Sequence, residues 1–185
     1  MQIRIPEMLL IAGNGRNSGK TTLACRIIRN ISACIPVVAI KITPHFHENF
    51  GTGKTLFNRE DLVIIEESDP ESGKDSALML KAGAVKSYFV MAKDEQLNDA
   101  LQVILKQVPE NVPMVCESGG LRHFVAPGIF LMMDRKDNNV LKPGVESLNI
   151  LADKVITFDG KNIDFDFDFN NVNYSENKWK ITAGK

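Results

Sequence analysis

Residues 8–25 of this chain read Met-Leu-Leu-Ile-Ala-Gly-Asn-Gly-Arg-Asn-Ser-Gly-Lys-Thr-Thr-Leu-Ala-Cys, and few folds accommodate such a run. The apolar residues 8–12 predict a buried strand, residues 13–19 a glycine-bearing loop, and the residues from Lys20 onward a helix. A strand, a tight loop and a helix in that order form a phosphate-binding loop, or P-loop. Backbone N–H groups and the positive end of the helix then face one polyanion. In this pattern Lys20 sits beside the β- and γ-phosphates and the Thr21 hydroxyl ligates Mg²⁺. The predicted cradle comprises Asn14, Gly15, Arg16, Asn17, Ser18, Gly19, Lys20, Thr21 and Thr22. Counting back from Gly19-Lys20-Thr21, the first glycine of G-x-x-x-x-G-K-[ST] falls on Asn14, with Gly13 and Gly15 on either side. Asparagine tolerates left-handed backbone angles, so the turn is expected to survive. The plainer alternative, a glycine turn with an incidental lysine, leaves the order of strand, loop and helix unexplained. Residues 51–55 also spell a G-K-T, but no strand precedes them and no helix follows, which predicts an ordinary loop.

The remainder of the chain alternates strand and helix patterns. Leu23, Ile27, Ile31 and Ile35 recur every four residues, with Ala24 and Ile28 widening the stripe, as in a helix laid on a sheet. Residues 37–42 are an apolar run broken only by Lys41, which predicts a strand covered on both faces. A lysine there must reach water or an anion, and strand ends in open α/β sheets face the ligand crevice, so a phosphate is a fitting partner. Residues 56–59 and 62–66 predict a hairpin, 74–82 a helix capped by Gly83, 86–91 a strand, and 94–108 an amphipathic helix. Residues 112–117, 128–133 and 154–158 predict strands, and 145–152 a short helix. Such alternation predicts an α/β fold with a doubly wound, mainly parallel sheet and helices on both faces.

At 185 residues the chain is read as one domain. Residues 1–160 form its nucleotide-binding body, and residues 161–185 an edge strand and polar tail. Residues 163–169 alternate Asp and Phe, which predicts one solvated and one buried face rather than a metal site. The residues after Asn170 are polar except Trp179 and Ile181, and a loosely held or interacting tail is expected. A net charge of −1 carries no nucleic-acid signature. Three cysteines without C-x-x-C spacing define neither a disulfide framework nor a zinc site. No 18-residue apolar run or signal-like start is present, so no membrane span is expected and the location is read as cytoplasmic.

Two further acids complete a candidate Mg²⁺ set with Thr21. Glu117 ends an apolar strand before Gly119-Gly120, and Asp75 opens a helix. Mg²⁺ on phosphates needs only one or two protein oxygens plus water, so Thr21 and Glu117 suffice, with Asp75 acting through water. Each acid also has an ordinary reading, as a strand-end surface charge and a helix N-terminal charge. The pair Glu66 and Glu67 and the spacing His45-x-His47 are weaker metal candidates, better read as solvated. No water-orienting glutamine stands out, and Arg16 in cis or Arg122 across a homodimer are the only candidate arginine fingers.

Residues 17–23 (N-S-G-K-T-T-L), 40–45 (I-K-I-T-P-H) and the block G-K-D-S…K-A-G-A over 73–84 together resemble the MobB family of molybdopterin-guanine dinucleotide biosynthesis. The resemblance spans roughly residues 8–120 and implies a P-loop NTPase fold. It implies GTP binding with weak hydrolysis, and assistance to a molybdopterin nucleotidyltransferase. It places Lys20, Thr21, Lys41, Asp75 and Glu117 at the nucleotide end, with Lys20 and Lys41 as catalytic charges. MobB proteins follow their strand-end acid with a V-E-G-F-K-like run, whereas residues 117–121 here (E-S-G-G-L) are similar to the E-G-A-G-G segment of dethiobiotin synthetases. That family also allows the spacing with Gly13 as the first loop glycine. It implies the same residues but ATP, and a carboxylate or carbamate acceptor near the 117–125 loop. A third reading is a nucleotide-controlled module that docks a partner. The residues leave GTP and ATP open. Asp134-Arg-Lys-Asp137 has only a faint likeness to a guanine-selecting N-K-x-D.

Overall fold

A computed structural model describes residues 2–46, 53–136, 144–160 and 167–182. The elements run β1 (Ile3–Gly13), α1 (Lys20–Ser32), β2 (Val38–Thr43), β3 (Lys54–Arg59), β4 (Leu62–Glu66), α2 (Asp75–Lys81), β5 (Lys86–Ala92), α3 (Leu97–Leu105), β6 (Met114–Glu117), β7 (Val125–Arg135), α4 (Val145–Leu151), β8 (Lys154–Phe158), β9 (Val172–Ser175) and β10 (Lys178–Ile181). Eight strands form one sheet in the order β3-β4-β5-β2-β6-β1-β7-β8. From β5 to β8 every pairing is parallel, and the β3–β4 hairpin adds antiparallel strands at one edge.

The alternating sequence pattern explains why both faces are covered. Along β1, Met8, Leu10 and Ala12 join one apolar cluster with Leu97, Leu101 and Ile104 of α3 and Leu148 of α4. Leu9 and Ile11 join the other, with Leu23, Ile27, Ile28 and Ile31 of α1 and Met79 of α2. All five residues from Met8 to Ala12 are fully buried, as a strand between two helical layers requires. β1 is longer than its apolar run because it continues amino-terminally to Ile3. Its pairing with β7 shifts register between Ile5 and Leu9, around Pro6, which has no N–H to give a ladder. Gly128 lies against this bulge, where a Cβ would stand 2.2 Å from the Pro6 carbonyl oxygen.

Several expectations need correction. Lys54 and Thr55 belong to β3 rather than to a loop, and residues 51 and 52 lie outside the described residues. The helix expected over 94–108 begins with a 3₁₀ turn, Asp94–Gln96, and its α-helical part is Leu97–Leu105. The tail after Asn170 is no loose polar strand. β9 and β10 form an antiparallel hairpin turned by Glu176 and Asn177 at φ 53° and 57°. Trp179, only 2% exposed, anchors it by donating from Nε1 to the Glu7 carbonyl at 2.8 Å. One large buried indole with a satisfied N–H outweighs the polar residues around it. Of the expected edge strand, residues 163–166 lie outside the described residues, and Phe169 belongs to a 3₁₀ turn, Phe169–Asn171. Among the described residues, no helix is long and apolar enough to cross a membrane.

Parallel pairing sets the carboxyl ends of β1, β2, β6 and β7 side by side, the usual ligand side of such a sheet. The segment 118–124 then crosses to the other end. Ser118 N–H bonds the Ile11 carbonyl at 3.1 Å, and the Phe124 carbonyl accepts from Ile3 N–H at 2.9 Å.

Candidate functional site

At the carboxyl end of β1 the chain turns through residues 13–19 into α1. The turn depends on two left-handed residues, Asn17 at φ 54° and Gly19 at φ 83°. Asn14 is not one of them, so the expectation that asparagine replaces the first glycine through its backbone is corrected. Asn14 acts through its side chain. It is 1% exposed, and its Nδ2 donates to Asp134 Oδ1 at 2.6 Å and the Arg135 carbonyl at 3.1 Å, while its Oδ1 accepts from Arg135 N–H at 3.1 Å. Together with the bond from its backbone N–H to the Met133 carbonyl at 3.0 Å, these staple the loop to the end of β7. Arg135 adds a bond from Nη1 to the Asn17 carbonyl at 3.2 Å. Asp134 is therefore engaged by the loop. The likeness of residues 134–137 to a guanine-selecting motif finds no support at Asp134, and Asp137 lies outside the described residues.

Ser18 and Lys20 close the loop from inside. Lys20 Nζ donates to the Gly15 carbonyl at 2.7 Å and to Ser18 Oγ at 3.0 Å, and Ser18 Oγ donates to the same carbonyl at 3.1 Å. Gly13 is glycine for a steric reason, since a Cβ there would stand 2.4 Å from Ser18 Oγ. Helix α1 opens from Gly19 with no side-chain cap and no acid in its first turn. Its positive end is thus left to whatever anion lies over the loop.

Beside the loop, four side chains from four elements meet. The parallel register sets Lys41 of β2 directly opposite Glu117 of β6. Lys41 Nζ pairs with Glu117 Oε1 and, at 2.6 Å, with Asp75 Oδ2 from the first turn of α2. Thr21 of α1 donates its hydroxyl to Glu117 Oε2 at 2.8 Å. Glu117 is 2% exposed, so both carboxylate oxygens find their partners within the protein. Burial alone depresses the Lys41 ammonium. The Glu117 charge and the hydrogen bonds that Lys41 donates to Asp75 and Glu117 outweigh it and hold Lys41 above its usual range. Burial pushes the Cys25 thiol, one turn beyond Thr21, up to about 11, with Arg29 opposing and Asp75 and Glu117 adding.

The predicted metal set, Thr21, Asp75 and Glu117, is thus brought together with Lys41 among it. These are hard oxygen donors of the kind Mg²⁺ takes. Among the described residues no three His, Cys, Asp or Glu side chains form a metal group by themselves. An ion here would need phosphate oxygens or water to complete its shell, as Mg²⁺ on a nucleotide does. The donor set fits that ion.

Other candidates fall elsewhere. Glu67 is a buried structural acid rather than a solvated strand end. Its Oε1 accepts from the backbone of Ser68 and Asp69, and its Oε2 accepts from Ser76 Oγ at 3.0 Å. Glu66 faces Lys86 at 3.6 Å. His45 meets Arg16, with Nε2 and Nη2 3.1 Å apart, and His47 lies outside the described residues. Arg122 is held at the amino end of the sheet by Gln2 and the Val125 carbonyl, both at 3.0 Å. A groove of about 400 Å³ between β1 and the 105–114 segment, and one of about 170 Å³ beside Asp153 and Phe167, are lined by no residue of the loop. Sequence reasoning missed the staple between Asn14 and β7 and the role of Glu67. The only local signals were an asparagine between two glycines and a second acid after a strand. No family model, no curated protein and no solved structure matches the chain.

Proposed function

We propose that this chain is a P-loop nucleotide-binding protein that takes a nucleoside triphosphate with Mg²⁺ and hydrolyses it slowly. The observation that carries the reading is the meeting of Thr21, Lys41, Asp75 and Glu117 beside a strand–loop–helix turn that encloses Lys20. Residues 14–22 would hold the phosphates, through loop N–H groups and the exposed positive end of α1. Lys20 and Lys41 would neutralise phosphate charge. Thr21 and Glu117 would hold Mg²⁺ directly, and Asp75 through water. Bound Mg²⁺ supplies charge neutralisation at the β- and γ-phosphates. Positioning and electrostatics of this kind account for most of the catalysis of phosphoryl transfer.

GTP and ATP both remain candidates. The resemblance to MobB supports GTP and a molybdopterin nucleotidyltransferase as partner. The ligase-like alternative needs an acceptor pocket beside Lys41 and the 117–125 loop. The loop's Leu121 is buried in the core with Leu97 of α3, which leaves the Lys41 side for such an acceptor. The test is equilibrium binding of Mg·GTP and Mg·ATP to wild type and Glu117→Ala. Wild type is expected to bind at least one of them. The variant is expected to lose the Mg²⁺ dependence of that binding, because the ion's one buried carboxylate is gone. Equal Mg²⁺ dependence in both proteins would remove Glu117 from the site.

A further inference from the structure

The position of Lys41 bears on how the same site is controlled, and the inference rests on the nucleotide-binding reading above. Lys41 reaches Asp75 Oδ2 at 2.6 Å and Glu117 Oε1, while Glu117 Oε2 is taken by the Thr21 hydroxyl. Every carboxylate assigned to the ion is therefore already bound to a cation of the chain itself. An ammonium held on both carboxylates opposes a divalent ion there, because Mg²⁺ draws its ligands in to roughly 2.0–2.1 Å and would bring the two positive charges within a few ångströms of each other. The charge count points the same way. Asp75 and Glu117 together carry two negative charges, and Lys41 cancels one. The sheet register that sets Lys41 opposite Glu117, and the burial of Glu117, make the arrangement part of the fold rather than a surface encounter.

We propose that Lys41 is a resident counter-ion that keeps Mg²⁺ off Glu117 and Asp75 until a nucleoside triphosphate draws the ammonium away. A triphosphate offers Lys41 a stronger anion a short reach from its present partners. Once Lys41 turns to it, Glu117 is released to the ion and Asp75 to a water of its shell. Nucleotide and Mg²⁺ then bind with positive coupling, and each tightens the other by the same factor. The protein without nucleotide is left metal-poor, which couples ion capture to the presence of the substrate.

The experiment titrates Mg²⁺ by calorimetry and Mn²⁺ by paramagnetic resonance into wild type, Lys41→Met and Lys41→Arg, without nucleotide. Removing one positive charge a few ångströms from a divalent ion is expected to tighten metal binding by about tenfold or more in Lys41→Met. Lys41→Arg keeps the charge and is expected to bind metal as weakly as wild type. Thermal melting with and without millimolar Mg²⁺ serves a Lys41→Met protein that folds poorly, since Mg²⁺ should raise its Tm more than that of wild type. Metal binding to Lys41→Met no tighter than to wild type, or a Tm that Mg²⁺ does not raise further, would overturn the proposal. The metal titration contains no nucleotide. A wild type that binds neither Mg·GTP nor Mg·ATP would therefore defeat the nucleotide reading through a separate measurement.

Discussion

The two ends of β1 are built from different materials. At its amino end the strand is held by backbone bonds and aromatic contacts, joined by the exposed Gln2–Arg122 pair. Ile3 bonds the Phe124 carbonyl, Glu7 accepts from the Trp179 indole, and Arg122 lies over the Phe130 ring at 5.6 Å. At its carboxyl end polar side chains from α1, α2, β2, β6 and β7 bond across elements. Buried polar groups cost stability unless every partner is in place. This chain concentrates them at one end of the sheet and closes the other with an indole, so the proposed ligand site and the aromatic anchor lie apart.

Substitutions at the two ends should therefore break different properties. Trp179→Ala removes a buried indole from the amino end and is expected to cost about 3 kcal/mol of stability, with nucleotide affinity of the folded protein unchanged. Chemical denaturation and binding measured on the same preparation check this, and a loss of affinity without a loss of stability would dissolve the division. Asn14→Ala removes the staple between the loop and β7 and is expected to cost about 1–2 kcal/mol. It should also weaken phosphate binding, because the loop is no longer fixed by the Asn14 side chain to Asp134 and Arg135. Stability lost at this site with full binding retained would show that the staple does not shape the cradle.

The smallest effect concerns pH. Lys41 titrates above its ordinary value in the folded protein, so its ion pairs contribute fully below the unfolded lysine value of about 10.4. That contribution fades as pH rises through the higher folded value. Stability measured from pH 9 upward should fall more steeply in wild type than in Lys41→Met, and parallel curves would mean that Lys41 gains nothing from its carboxylates.

The fold was largely legible because its signals are local. The apolar run 8–12, the four-residue stripe of α1 and the alternating elements all reflect periodicity, which a sequence displays directly. Thr21, Lys41, Asp75 and Glu117 were legible as strand ends and helix starts, the positions a parallel sheet turns toward one side. Asn14 and Glu67 were not, because their roles are fixed by partners at Asp134, Arg135 and Ser76 that only the folded chain brings near. Trp179 was hidden for the same reason. A lone aromatic in a polar stretch gives no sign of the Glu7 carbonyl it will meet.

Whether the loop cradles phosphate is decided by titrating Mg·GTP and Mg·ATP into wild type and Lys20→Ala. Wild type is expected to bind at least one of the two, and Lys20→Ala to lose that binding while remaining folded. Binding by Lys20→Ala as tight as by wild type would mean that the loop enclosing Lys20 is not a phosphate cradle.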